Sequence, residues 1–472
     1  MAEDAHVLRL GEMILRQKGS FTRRLVHAIF SIALRLFFRR IETSGVELVP
    51  QSGALLFVLN HPNGLIDPAL VFCALPRRVS FLAKSTLFRV PVISFLVRTV
   101  EALPLYRRLD SGEDLKQNNR TFEACHELLR RGRCIALFPE GVSHNSPQLL
   151  PVKTGAARIA LGAISINPDA SQPEDIQTLR IVPVGLYYTS KTSFRSEALL
   201  RFGPYMEVHP VELDEEGEPP RTDVKQLSSR IEAALREVTL NVESGEALAE
   251  VIKAEELFSS IYESIDIKWT LTQTFNTLRR LAEGRKLQSA QQPERISRLR
   301  ERILKYEHEL EEIGIAPENL SVSLHSRWYV FNHFLLRTLL LLLLLPLALT
   351  GAVIHLPAYL LCVLFSRTFT RHGADEIAPT VKILAAMMLM PLTWIVATLT
   401  VYFLWNWRLA LLAFPTAIVC GYVAMIYLEI LYDMRGWYKA VFLLIRRRGL
   451  FLRLLLERRL LHKEIEELGK QV

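Results

Sequence analysis

The stretch ALLFVLNHPNGLIDP, residues 54–68, reads as a short buried strand that runs into a turn. Its first six residues are apolar without interruption, as a strand covered on both faces must be. Asn63-Gly64 then supplies a turn signal. The strand delivers His61 to its carboxyl end, the edge at which open α/β sheets place ligand sites. Asp67 follows six residues later. An imidazole with a carboxylate in reach can act as a general base whose tautomer and orientation the carboxylate fixes. Such a pair can equally be structural, and this stretch alone leaves both readings open.

Outward from it, residues 42–215 alternate short apolar runs with helical stretches, the pattern of an α/β domain. The expected strands are 54–59, 79–83, 102–106, 134–138 and 180–188, in a mixed sheet flanked by helices. Between the third and fourth, residues 109–132 predict a helix, with Asp110-Ser111 as cap and Arg130-Arg131 before Gly132. FPEGVSH (138–144) ends the fourth strand in a tight turn at Pro139 and Gly141. Glu140 then stands at the same sheet edge as His61 if both strands are parallel. It can bind substrate hydroxyls or hold the loop by accepting backbone N–H bonds, and Gly141 allows a ligand close approach. LLPVKTGAARIALGAIS (149–165) predicts a helix with Pro151 in its first turn and Lys153 near its N-terminus, a natural anion site. Arg107-Arg108 follow ALPLY (102–106), and Lys84 closes VSFLA (79–83) in the same way. An arginine at a strand end suits bidentate phosphate binding. Each cation alone reads as solvated surface charge, but Lys84, Arg107 and Lys153 could converge with His61 and Glu140.

The chain has 472 residues, 50% of them hydrophobic, so more than one domain is expected. Its 57 basic and 49 acidic side chains leave +8, which points to an anionic partner such as a phospholipid surface or a phosphorylated substrate. No nucleic-acid-binding motif is visible, so nucleic acid is not expected as a partner. Cys73, Cys125, Cys134, Cys362 and Cys420 show neither metal spacing nor a disulfide framework, which suits a reducing compartment and predicts no metal. MAEDAHVLRL lacks the basic start and apolar core of a signal peptide. Residues 20–42 carry apolar clusters bracketed by arginines, too short and too charged to span a bilayer. They predict an amphipathic helix in the interfacial plane, the alternative being a helix packed on the domain core.

Residues 216–325 read as helical and polar. PERISRLRERILKYEHELEEIGIAP (293–317) places Ile296, Leu299, Ile303, Tyr306, Leu310 and Ile313 in heptad spacing. A helical hairpin with 250–285 is expected in preference to an intermolecular coiled coil, with homo-oligomerisation left open. The membrane region, 330–435, contains uncharged runs at 338–365, 383–407 and 409–428. The last two read as a transmembrane hairpin with Trp405 and Trp407 at its turn. The first, broken by Pro346, Gly351 and Pro357, reads as one tilted span or a re-entrant hairpin. Basic flanks on both sides favour the re-entrant form. An even number of crossings would then put the catalytic domain and the tail on the cytoplasmic face. IRRRGLFLRLLLERRLLHK (445–463), within the tail 436–472, suits an anionic leaflet.

The ordered set NHPNGLIDP, ALPLYR, FPEGVSH and IVPVGLYY resembles the four blocks of the glycerolipid acyltransferase superfamily. The details look closest to its membrane-bound branch that acylates glycerol-3-phosphate or dihydroxyacetone phosphate. KTSFRSEALLRFG (191–203) shares that likeness. The resemblance implies His61 as the base on the acceptor hydroxyl and Asp67 as its orienting carboxylate. It implies Arg107 on the acceptor phosphate, Glu140 and Gly141 shaping the acceptor site, and Pro183 at the acyl donor or its loop. Charge and placement add Lys84, Lys153 and Arg195 as substrate-binding candidates. Two departures stand out. Five residues rather than four separate His61 from Asp67, and on a regular helix the pair would face apart, so the Asn63-Gly64 turn must absorb the extra residue. Glu101 also stands where a Gly is common ahead of the ALP.

The expectation is an integral-membrane acyltransferase that uses acyl-CoA or acyl-carrier protein as co-substrate and no bound cofactor. Its alternatives are a lysophosphatidic acid or other lysophospholipid acyltransferase, and a catalytically silent lipid-binding membrane protein. A hydrolase is also conceivable, but no G-x-S-x-G nucleophile elbow is present to support it.

Overall fold

The computed structural model describes residues 5–15, 19–107, 114, 116–165, 178–191, 193–214, 217–263, 269–370 and 378–470. They fall into two units, divided between Ser244 and Gly245.

In the first unit the described strands are β1 (His6–Val7), β2 (Phe38–Ser44), β3 (Leu55–Leu59), β4 (Val79–Lys84), β5 (Leu103–Leu105), β6 (Cys134–Leu137), β7 (Leu179–Tyr188), β8 (Ser196–Phe202) and β9 (Met206–Val208). They form one sheet in the order β1-β2-β8-β7-β3-β6-β4-β5, with β9 beside β7. β3 is central, parallel to β6 on one side and to β7 on the other. All five of its residues are buried, which is why its sequence shows no polar alternation. β4 and β5 continue the parallel part, whereas β8 and β9 run antiparallel to β7 and make the sheet mixed.

The helices of this unit are α1 (Leu10–Leu15), α2 (Phe21–Phe37), α3 (Ile66–Ala74), α4 (Pro91–Thr99), α5 (Gln117–Arg130), α6 (Gly155–Ile164) and α7 (Arg221–Val238). α5, α6 and α7 share a core with the sheet, in which Leu129, Ile159 and Ile231 join Leu56, Ile135 and Ile181. Gly185 on β7 allows the end of α7 to approach, because a Cβ there would overlap the Val238 carbonyl.

Several expectations change. The helix expected over 20–42 stops at Phe37, and Phe38–Ser44 become β2, parallel to β8. Membership of the sheet overrides the local amphipathic pattern. The helix expected over 109–132 is described from Gln117, and its cap at Asp110-Ser111 lies outside the described residues. The helix expected over 149–165 begins only at Gly155. α7 belongs with the sheet, so the first unit extends past the expected limit at 215.

In the second unit, α8 (Gly245–Glu263), α9 (Leu271–Gln291), α10 (Pro293–Ile313) and α14 (Arg448–Lys470) pack on one another. The heptad residues Leu299, Ile303, Tyr306 and Leu310 are buried, as expected of a seam within the chain. α14 replaces the expected membrane-surface tail. Its apolar face, Phe451, Leu454, Leu461 and Ile465, is buried. Glu457 and Glu464 lie 2.8 and 2.6 Å from Arg302 on α10. The acidic residues interleaved with its arginines select a protein partner over an anionic leaflet. Between α10 and α14 lie α11 (Arg327–Thr370), α12 (Ala378–Leu404) and α13 (Trp407–Arg446), three helices long and apolar enough to cross a membrane. α11 is one continuous helix through Pro346 and Pro357, the form that the spanning alternative for 338–365 would take.

Candidate active site

Three adjacent parallel strands, β6, β3 and β7, end side by side, and their carboxyl ends carry the site. Asn60 continues the ladder beyond β3 with its side chain, donating to the Leu186 carbonyl (3.1 Å) and accepting from the Leu186 N–H (2.7 Å). This fixes the direction in which His61 leaves the sheet. Residues 61–65 turn before α3 begins at Ile66, so Asp67 sits in the first helical turn. The turn absorbs the extra residue. His61 Nδ1 lies 2.8 Å from Asp67 Oδ2. A carboxylate only accepts, so Nδ1 carries the hydrogen and Nε2 presents a lone pair. The imidazole stacks on Phe138 with ring centres 4.1 Å apart and is 18% exposed, while Asp67 is fully buried.

Asp67 has two further donors. The Asn63 N–H donates to Oδ2 at 2.7 Å and the Tyr188 hydroxyl to Oδ1 at 2.6 Å. Burial, together with the charge and hydrogen bond of Asp67, raises the Tyr188 pKa well above its ordinary value. Tyr188 therefore stays a donor throughout the working pH range.

Glu140 is buried and takes the loop-holding use of the two foreseen for it. Oε1 accepts from the His61 N–H (2.9 Å), and Oε2 accepts from the Leu150 N–H (2.8 Å) and from His144 Nε2. His144 Nδ1 accepts from the Ser146 N–H at 3.1 Å, which places the ring hydrogen on Nε2. Gly141 has φ +74, and a Cβ there would come within 2.6 Å of Lys153 Nζ. Arg107 Nη1 donates to the Gly141 carbonyl at 2.6 Å. Arg107 and Lys153 thus meet at the turn that Glu140 ties to His61. Lys84 and Arg195 stand on the same edge at the ends of β4 and β8, each two strands from β3.

Reasoning from the sequence missed Tyr188, His144 and Lys191, whose Nζ donates to Asn145 Oδ1 (3.1 Å) and the His144 carbonyl (3.3 Å). All three stand in or beside the quoted blocks. Their partners become visible only when β7 is known to lie against β3. Glu101 resolves the second departure. It takes a left-handed backbone, φ +59, where a glycine would be unstrained, and its carboxylate binds Arg78 and Arg133.

Residues 40–187 match the Acyltransferase family model, and residues 255–472 match the model of the glycerol-3-phosphate acyltransferase 2 C-terminal domain. The chain therefore carries an acyltransferase-family domain joined to a C-terminal domain of that type. It is 25% identical to an uncharacterized acyltransferase of Schizosaccharomyces pombe, over 81% of this chain and 69% of that protein. Two Saccharomyces cerevisiae proteins are also similar. Glycerol-3-phosphate O-acyltransferase 1 is 24% identical over 83% of this chain, and glycerol-3-phosphate O-acyltransferase 2 is 26% identical over 59%. The chain spans 64% and 37% of their respective lengths.

Proposed function

We propose that the chain moves a fatty acyl group from a thioester donor to a hydroxyl of glycerol-3-phosphate or dihydroxyacetone phosphate, with His61 as general base. The observation that carries this reading is the 2.8 Å contact between His61 Nδ1 and Asp67, which leaves Nε2 to take a proton. Nε2 removes the acceptor's hydroxyl proton as its oxygen attacks the thioester carbonyl, and Asp67 stabilises the imidazolium that forms. When the tetrahedral intermediate collapses, the C–S bond breaks and His61 returns the proton to the departing thiolate. Arg107 and Lys153 bind the acceptor phosphate beside Gly141, with Lys84 and Arg195 as outer cations. The thioester is a co-substrate, and the step needs no resident cofactor. The names of the yeast relatives favour a glycerol-phosphate acceptor over a lysophospholipid.

The membrane setting supports the same reading. On α2, Phe21, Leu25, Ile29, Ile32 and Leu36 are exposed, while Arg23, His27 and Ser31 face inward together with Val26, Leu34 and Phe37. This exposed apolar face suits a helix lying in a bilayer interface, with the catalytic unit on the cytoplasmic side where acyl-CoA is available. In membranes offered labelled acyl-CoA and each acceptor in turn, glycerol-3-phosphate or dihydroxyacetone phosphate is acylated. The His61→Ala variant accumulates in membranes normally but loses at least about 10²-fold in rate. Substantial transfer by that variant removes the base assignment, and acylation of lysophosphatidic acid alone removes the acceptor assignment.

A further inference from the structure

The carboxyl edge of the sheet continues past the site into a second recess. A cleft of about 560 Å³ lies along β5 and beyond the end of β4, lined by Ser85, Phe88, Arg89, Arg98, Ala102, Pro104 and Tyr106. Among the described residues its charged lining is cationic, from Arg89 and Arg98. Ser85 is 5% exposed, and its buried hydroxyl has no hydrogen-bond partner among the described residues. A buried polar atom left in this way points to a ligand that completes it. The Arg98 guanidinium lies 5.8 Å from the Phe88 ring centre. Tyr106 is held rigidly from α5, with Asn118 accepting from its N–H (2.9 Å) and donating to its carbonyl (2.8 Å).

The recess adjoins the site through successive residues. Tyr106 lines the cleft, and Arg107, next in the chain, reaches the Gly141 carbonyl. Ser85 likewise follows Lys84. From β3 the edge runs through β6 and β4 to β5 at about 4.8 Å per strand, so the cleft lies about 10–14 Å from His61. A three-carbon phosphate whose hydroxyl meets His61 is too short to reach it. A thioester whose phosphates stand at the far end of a pantetheine arm is long enough. We propose that this cleft binds the phosphorylated nucleotide end of a coenzyme A thioester: the two guanidiniums take the phosphates, Phe88 and Tyr106 flank the base, and the Ser85 hydroxyl supplies one more polar contact. The assignment rests on the acyl-transfer reading for its biological sense and selects coenzyme A over an acyl-carrier protein as donor.

The test is direct binding of coenzyme A to the detergent-solubilised full chain, so it does not depend on turnover. Adenosine 3′,5′-bisphosphate should displace coenzyme A, and glycerol-3-phosphate and inorganic phosphate should not. The Arg89→Ala/Arg98→Ala variant alters two exposed side chains and should bind coenzyme A at least about tenfold more weakly. In turnover, that variant should raise the KM for acyl-CoA while leaving the acceptor KM and transfer from acyl-pantetheine unchanged. Wild-type affinity in the variant, or displacement by glycerol-3-phosphate, overturns the assignment, as does equal activity with acyl-carrier protein. Coenzyme A binding lost in the variant, with no acceptor acylated by the wild type, would leave the cleft assigned and remove the transfer reading.

Discussion

Asp67 accepts three hydrogen bonds, and Tyr188 supplies the one that no neighbour in the chain could. Replacing Tyr188 with Phe leaves Oδ1 buried without a donor, at a cost of about 1.5–3 kcal/mol for a bond to a charged group. That cost is present in the ground state and the transition state alike, so it should appear as a lower unfolding midpoint, and kcat should change only as far as Asp67 acts differently on the His61 imidazolium. A carboxylate with one donor fewer stabilises the neighbouring imidazolium more, so the acid limb of the pH–rate profile should move to higher pH. An unmoved profile with normal kcat would reduce Tyr188 to a packing residue. At this scale the sequence was legible wherever the partners are close in the chain. His61 and Asp67 meet because residues 61–65 turn before α3 starts, and Gly141 takes the positive φ its turn required. Tyr188 was not legible because its contact depends on β7 lying beside β3, a pairing across more than a hundred residues. Glu101 was read as a departure from a family pattern, yet its ion pairs with Arg78 and Arg133 explain how a non-glycine residue holds that backbone.

At the scale of elements, the central strands announced themselves through unbroken apolar runs, whereas α2 and β2 did not. Their shared stretch reads as one basic amphipathic helix until β8 is present to pair with its second half. The inward face of α2 is mixed: Arg23, His27 and Ser31 are buried beside Val26, Leu34 and Phe37, and buried polar groups need partners. Arg23 donates to the Val79 carbonyl at 3.1 Å and lies over Phe72, and burial lowers its pKa to about 10 despite Glu101. His27 packs edge-on against Phe72 at 5.1 Å, with Ser31 near its Nδ1 and Cys73 bonded to its carbonyl. Burial, reinforced by the Arg23 charge, lowers the His27 pKa to about 4. The unfolded chain therefore binds a proton at this site below about pH 6.5 that the folded chain refuses until about pH 4. Stability present above the first value is lost as pH falls toward the second, at up to about 1.4 kcal/mol per pH unit. His27→Gln removes the titration. Its unfolding midpoint should fall less than that of the wild type between about pH 7 and about pH 5. Parallel losses in the two proteins would show that His27 is not a source of the acid sensitivity.

For the molecule as a whole, the question is how three apolar helices can belong to a chain whose flanks meet. α14 follows α13, and α10 precedes α11, yet Arg302 and Arg453 join these two flanking helices directly. The flanks thus share one side of any bilayer, which requires an even number of crossings. α11 and α13 are antiparallel: Arg337 lies 3.5 Å from Asp433, His333 stacks on Trp437, and Gly351 fits against Cys420. At 1.5 Å per residue, Trp407 lies about 20 Å along α13 from Cys420, level with the last turns of α11. Two residues, Trp405 and Asn406, separate the end of α12 from Trp407, so α12 finishes at that level. To cross fully, it would have to begin at the opposite end, beside Arg337 and about 50 Å from Thr370. The seven residues 371–377 span at most about 28 Å. A full crossing by α12 is therefore not expected; the helix reaches the level at which Trp394 Nε1 donates to His355 Nε2 at 2.8 Å. A straight 27-residue helix would be about 40 Å long, and Pro391 provides a place to bend. An even count then predicts two full crossings, by α11 and α13, in place of the 383–407 and 409–428 pair expected from the sequence. The native cysteines are all buried, so single introduced cysteines can report sidedness in sealed vesicles. Lys382→Cys and Asn406→Cys should react with an impermeant maleimide from the same side, opposite to Ser326→Cys and Arg448→Cys. Labelling of Lys382→Cys together with Ser326→Cys would establish a complete crossing by α12 and overturn the two-crossing arrangement.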